Sequence, residues 1–201
     1  MKDNKWTRFF DSLFKIVVLN FLVFLTSVLG LFILGLFPAL AAMFATIRMS
    51  RELNWKEMIL LYWLKYKKLF VKANIFGFTI SLLSFYLFLN TKVCFQLTPI
   101  IFTFFGTLSL ITLIVCVAIG MNSFVFMEEI QSKIDFKQIC QYTIYSLPYN
   151  IVQMVVILLF LLIVPYFPAI LLFGGLVMMG KCCLYLMNKS LNNLQSKGTL
   201  R

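Results

Sequence analysis

Glu128 and Glu129 stand side by side, and a carboxylate pair can serve acid–base chemistry when one group donates a proton while the other accepts it. No His, Cys or Ser is arranged around them in the sequence, and they follow directly on an apolar run that ends at Met127. A solvated helix end beside a membrane accounts for the pair without catalysis. The chain has no histidine, which removes the commonest general base and metal ligand at neutral pH. Its five cysteines (Cys94, Cys116, Cys140, Cys182, Cys183) lack C-x-x-C spacing and are odd in number, so neither a zinc site nor a disulfide framework is expected. Phosphate cradles, nucleophile elbows and zinc helices all lack their signature residues. The expectation is therefore no enzyme, no cofactor and no metal.

The polar groups that remain are neutral or basic. Asn20, Asn74, Asn122, Asn150 and Gln153 fall in or near apolar runs, where an amide finds a partner or carries a desolvation cost. Pairing between helices is the plain reading, and lining a polar path is the sharper one. Between Trp55 and Lys72, the residues Trp55, Ile59, Tyr62, Trp63, Tyr66 and Phe70 recur near helical spacing, opposite Glu57, Lys65, Lys68 and Lys72. That pattern predicts a helix lying in the interface of an anionic inner leaflet, with a partner-docking surface as the second reading.

The elements that position these residues must be membrane helices. Hydrophobic residues make up 62% of the 201-residue chain and charged residues 12%, with mean hydropathy +0.95. Soluble domains are roughly 45–50% apolar and about 25% charged. The net charge of +11 sits in short segments between apolar runs, which speaks for membrane orientation and against nucleic acid.

The run Ile16 to Phe37 would make a helix of about 33 Å, enough to cross roughly 30 Å of hydrocarbon and too long for the apolar core of a signal peptide. Six spans are predicted at about 16–37, 38–53, 73–91, 99–127, 148–164 and 168–187, as three hairpins of one all-α domain, with the interfacial helix at about 55–72. Pro38, Pro99 and Pro168 mark the outer turns, since a proline in the first helical turn gives up a donor that would be unpaired there anyway. The second span is short. It is included because, with it, all 18 basic residues except Lys92 fall on one side, as the positive-inside rule requires. Both termini are then cytoplasmic.

An offset of 130 residues aligns the chain with itself without a gap. It sets Asn20 on Asn150, Phe37-Pro38-Ala39 on Phe167-Pro168-Ala169, and Arg51 on Lys181. The expectation is that hairpins 6–51 and 136–181 superimpose about an axis near the membrane normal, a parallel repeat unlike the inverted repeats of many secondary transporters. All seven acids lie outside the predicted spans, which argues against proton pumps and voltage sensors.

The stretch Gly30-Leu31-Phe32-Ile33-Leu34-Gly35-Leu36-Phe37-Pro38-Ala39-Leu40-Ala41-Ala42-Met43-Phe44, preceded by Asn20 and followed by the basic aromatic segment around Trp55 and Trp63, resembles the YesL-like family. These are small multi-pass membrane proteins of unknown function, mostly from Gram-positive bacteria. That family usually has Gly before the Pro, where Phe37 stands here. The resemblance implies a place beside carbohydrate importers of the ATP-binding cassette type, and so a membrane transporter complex as partner. It supplies no catalytic residues. The alternative reading is a small transporter or channel for a neutral solute.

Overall fold

The computed structural model describes residues 5–50, 53–127 and 136–196, and every regular element among them is a helix: α1 (Lys5–Leu29), α2 (Leu36–Met49), α3 (Trp55–Gln96), α4 (Ile100–Phe126), α5 (Phe136–Tyr145), α6 (Leu147–Ile163), α7 (Ala169–Phe173) and α8 (Gly175–Ser196). The pair Glu128–Glu129, together with Arg51, lies outside the described residues. Among the described residues, three helical stretches are long and apolar enough to cross a membrane: Phe9–Leu29, Trp55–Gln96 and Ile100–Phe126. A fourth crossing results if Ile139–Tyr145 and Leu147–Ile163 form one span bent by 86°. Phe21, Leu82, Ile100, Phe104 and Leu158 stand exposed on the outside of these helices, a surface that suits lipid rather than water.

The helix α2 is the hub. It covers 14 residues, about 21 Å, and Pro38, Ala39, Ala41, Ala42, Met43, Phe44, Ala45 and Thr46 are all buried. Its alanines let neighbouring backbones approach closely, the usual device where no hydrophobic gain separates helix contact from lipid contact. Ala41 and Ala45 pack with Leu69 and Ala73 of α3, while Met43 packs with Val177 of α8 and Leu19 of α1. The expected span 38–53 is thus enclosed mainly by protein.

The turn from α1 to α2 is unusually tight. Leu31 and Phe32 adopt φ of 53° and 58°, a left-handed conformation that costs most side chains about 1–2 kcal/mol each. A Cβ on Gly30 would lie 2.3 Å from the Gly35 Cα, and one on Gly35 only 2.5 Å from the Thr26 carbonyl oxygen. Both positions demand glycine for space.

The expected interfacial helix at 55–72 and the span at 73–91 are one helix. α3 runs unbroken for 42 residues, about 63 Å, which is twice a hydrocarbon core. Its first turn is fixed by a capping box, in which the Asn54 N–H donates to Glu57 Oε2 at 2.9 Å and the Asn54 side chain accepts from the third residue. No proline occurs from Trp55 to Gln96, and the lone glycine, Gly77, is buried, so nothing ends the helix near Lys72. The charge of that segment does not break a helix.

A second correction follows from the first. Gly77 sits against the Phe37 ring, where an added Cβ would be 2.4 Å from its Cγ, and the Leu34 carbonyl accepts from Asn74. The first turn therefore lies level with Asn74 to Gly77 of α3. The turn at Leu97–Pro99 lies roughly 20 residues further along, about 30 Å. The two outer turns were expected at one surface, and they are at different levels. Beyond Gly77, α3 pairs with α4 down the remaining length: Ile80 meets Gly120 and Cys94 meets Gly106.

The predicted likeness of hairpins 6–51 and 136–181 is not found either. α1 is continuous from Lys5 to Leu29, whereas the corresponding stretch is split into α5 and α6 at a sharp bend. Pro148 follows that bend, at a position where the offset places Val18. The proline withholds its N–H and disfavours helix in the residue before it. The return helix is split as well: Gly174, at φ 128°, separates the five-residue α7 from α8, so the expected span 168–187 is interrupted. Phe44 occupies the corresponding place in α2 and could not adopt that backbone at comparable cost.

Candidate functional site

Each amide singled out in the sequence as a candidate position meets another part of the chain. The buried Asn20 donates from Nδ2 to the Leu171 carbonyl of α7. Asn74, 7% exposed, donates to the Leu34 carbonyl at 3.0 Å and so fastens the strained α1–α2 turn onto α3. Asn150 is the centre of a denser set. Its Nδ2 donates to the Thr143 carbonyl at 2.8 Å and to Ser146 Oγ at 3.1 Å, and its Oδ1 accepts from Asn122 Nδ2 at 3.2 Å. Asn122 also donates to Thr143 Oγ1 at 3.1 Å. These bonds join α4 to both arms of the bend at Ser146, where the backbone groups released by the bend need partners. Asn20 and Asn150, aligned by the 130-residue offset, thus hold unrelated junctions.

Pro38 stands in the first turn of α2, Pro99 at the N-terminal boundary of α4 and Pro168 at that of α7. Each sits where a missing N–H leaves no ladder bond unmade.

The aromatic face of the first half of α3 is in part a protein seam, with Ile59, Trp63, Tyr66 and Phe70 half-buried and Trp55 exposed. Tyr62 is fully buried, as are Met58 and Leu69, and the Tyr62 and Thr26 hydroxyls share a hydrogen bond of 2.6 Å. Thr26 donates onward to the Leu22 carbonyl of its own helix, so Tyr62 is the donor in that bond. Trp55 meets Phe14 edge-on with ring centres 6.0 Å apart, and Trp63 meets Tyr66 likewise at 5.9 Å. Lys68 is exposed, and Lys65 and Lys72 are half-buried. Of the expected stripe, Tyr62 is buried against α1 and α2, Ile59 and Tyr66 pack beside it, and Trp55 stays exposed, because the aromatic spacing that suits an interface suits a helix seam equally.

Two concavities border this core. One, of about 310 Å³, lies under the α1–α2 turn and is lined by Leu29, Leu31, Leu34, Trp63, Tyr66 and Phe70 among others. The larger, of about 780 Å³, lies where the start of α1, the end of α2 and the middle of α8 converge. Its walls carry Asp11 and Lys15 from α1, Arg48 from α2 and Lys181 from α8, with Ser12, Ser50 and Asn188 as neutral polar groups. Lys15 and Asp11 are paired at 2.5 Å. The Arg48 guanidinium lies 5.2 Å from the Phe126 ring centre and donates to Met187 Sδ at 3.9 Å.

None of these cleft cations was among the candidate positions read from the sequence. A signal existed in α8: Lys181, Leu184, Tyr185 and Asn188 repeat at helical spacing. Nothing local to Lys15 or Arg48 indicates that they face the same space. Thr26 and Thr143 were missed for the same reason, since their partners are 36 and 21 residues away. Among the described residues, no group of His, Cys, Asp or Glu could hold a metal ion.

No curated protein and no solved structure matches this chain. Residues 16–91, which take in most of α1, all of α2 and α3 as far as Thr91, match the model of a family described as a protein of unknown function, DUF624, and that part of the chain is similar to its members.

Proposed function

We propose that the chain is a non-enzymatic accessory or regulatory protein of the cell membrane, working beside a carbohydrate importer of the ATP-binding cassette type. The observation that carries the non-enzymatic part is where the buried polar groups are used. Asn20, Asn74, Asn122 and Asn150 all fasten helices or turns to one another, and the Tyr62 hydroxyl does the same, which makes this polarity structural. The match of residues 16–91 to a family of unknown function is compatible with the YesL-like reading, and the link to carbohydrate import rests on that resemblance. The α3–α4 pair beyond Gly77, apolar on its outer sides, offers a helical surface to a membrane partner.

In the proposed topology both termini are cytoplasmic. The α3–α4 pair extends about 30 Å beyond the α1–α2 turn, and Lys92 lies near its tip. Crosslinking in membranes followed by mild-detergent purification tests the role. Co-recovery of the subunits of an importer is expected, and isolated protein alone, under conditions that keep known membrane complexes intact, refutes it. The polar cluster around Asn122 and Asn150 favours a second reading, a path for a neutral solute. Proteoliposome flux of sugars or polyols above empty vesicles would establish that instead.

A further inference from the structure

Lys15, Arg48 and Lys181 come from three different helices and line one cleft of about 780 Å³. Among the described residues that line it there is one carboxylate, Asp11, already paired with Lys15, so these walls carry two more positive charges than negative ones. Like charges are not gathered this way without cost, and a site that does so suits a multiply acceptor-bearing anion. The neutral lining fits the same ligand: Ser12, Ser50, Tyr185 and Asn188 are hydrogen-bond donors. Ile47 and Leu184 supply an apolar wall beside them. The position fits too: Lys15 immediately precedes the charge-free run that starts at Ile16 and lies in the first third of the stretch Phe9–Leu29, so the cleft lies toward the charged end of that helix.

We propose that this cleft binds a phosphate group of net negative charge, held between Lys15, Arg48 and Lys181. Two sources share that chemistry. One is the headgroup phosphate of an anionic phospholipid, whose chains would run along the apolar flanks of α1 and α8. The other is a small soluble phosphate ester. The site stands apart from the partnership proposed above, since it needs no other protein.

The test uses the full-length chain in neutral detergent, with native mass spectrometry and thermal unfolding followed by tryptophan fluorescence. Probes are short-chain phosphatidylglycerol, short-chain phosphatidylcholine and glycerol 3-phosphate. Saturable binding of phosphatidylglycerol is expected, weakened about five-fold by Lys181→Gln and further by adding Lys15→Gln, with Lys68→Gln unchanged. Lys181 is exposed, so Lys181→Gln should fold normally. Arg48→Gln is the less clean variant because Arg48 also packs on Phe126.

Binding of glycerol 3-phosphate with the same dependence on Lys181 supports the site and assigns the soluble source. Binding of phosphatidylglycerol alone assigns the lipid. Equal binding of phosphatidylcholine, no loss in Lys181→Gln, or an equal loss in Lys68→Gln would each overturn the proposal, as would failure of both anionic probes.

Discussion

The junction around Asn150 makes a quantitative demand. Asn150→Ala removes the donations to the Thr143 carbonyl and Ser146 Oγ and the acceptance from Asn122, three bonds of 2.8, 3.1 and 3.2 Å. Interhelical hydrogen bonds within membranes average about 0.6 kcal/mol each and reach about 1.7, so three contribute roughly 2 kcal/mol. Asn122 keeps its bond to Thr143 Oγ1, which limits the penalty of an orphaned amide. Asn150 is 5% exposed, so water replaces little of what is lost. The expected cost is about 2–3 kcal/mol. In a double-mutant cycle with Asn122→Ala, the direct pair should show a coupling of about 0.6–1.7 kcal/mol. Reversible unfolding in mixed micelles, followed by tryptophan fluorescence, measures both. Thr112→Ala is the control: Thr112 is exposed and donates to the Leu108 carbonyl of its own helix, and a change within about 0.5 kcal/mol is expected. If Asn150→Ala costs no more than Thr112→Ala, or the coupling is indistinguishable from zero, the amides do not hold the bend and the path-lining reading gains.

Three shorter predictions come from α3. Tyr62→Phe deletes the buried hydroxyl bonded to Thr26 at 2.6 Å and should cost about 1 kcal/mol in the same unfolding assay; Thr26→Val should add less when combined with Tyr62→Phe than it costs alone. Gly77→Val drives a side chain into the Phe37 ring, itself stacked on Phe124 with ring centres 5.7 Å apart, and should destabilise by about 1–3 kcal/mol, whereas Gly106→Ala, with its nearest neighbour at 3.2 Å, should be milder. Spin labels at the exposed positions Lys56 and Val93 of a cysteine-free variant should lie about 55 Å apart by double electron–electron resonance if α3 is continuous, and a distance near 40 Å would mean a bend close to Lys72.

The sequence by itself determined the solvent and the secondary structure class. Charge-free runs as long as Ile16–Phe37 leave only helices able to pair their backbone groups in lipid, so the existence of α1 and α4 follows from run length; the end of α1 does not, because the expected span 16–37 stops at Leu29 and its last residues form the turn and the start of α2. It also determined where helices begin after a turn, because Pro38, Pro99 and Pro168 carry that information locally.

Tertiary structure alone decided what faces what. The spacing of Trp55, Tyr62, Trp63 and Tyr66 defines one face of a helix whether lipid or protein covers it. Only the alanines of α2 and the Thr26 hydroxyl of α1, brought from far along the chain, bury Tyr62 within it. The unbroken course of α3 is partly legible, since no breaker stands near Lys72, and a charge cluster marks no helix boundary where backbone chemistry supplies none. The 130-residue offset matched side-chain types while Pro148 and Gly174 set different backbones. The basic cleft needed the fold altogether: Lys15, Arg48 and Lys181 are each ordinary flanking cations, and they become a site only because three helices end or cross at one place.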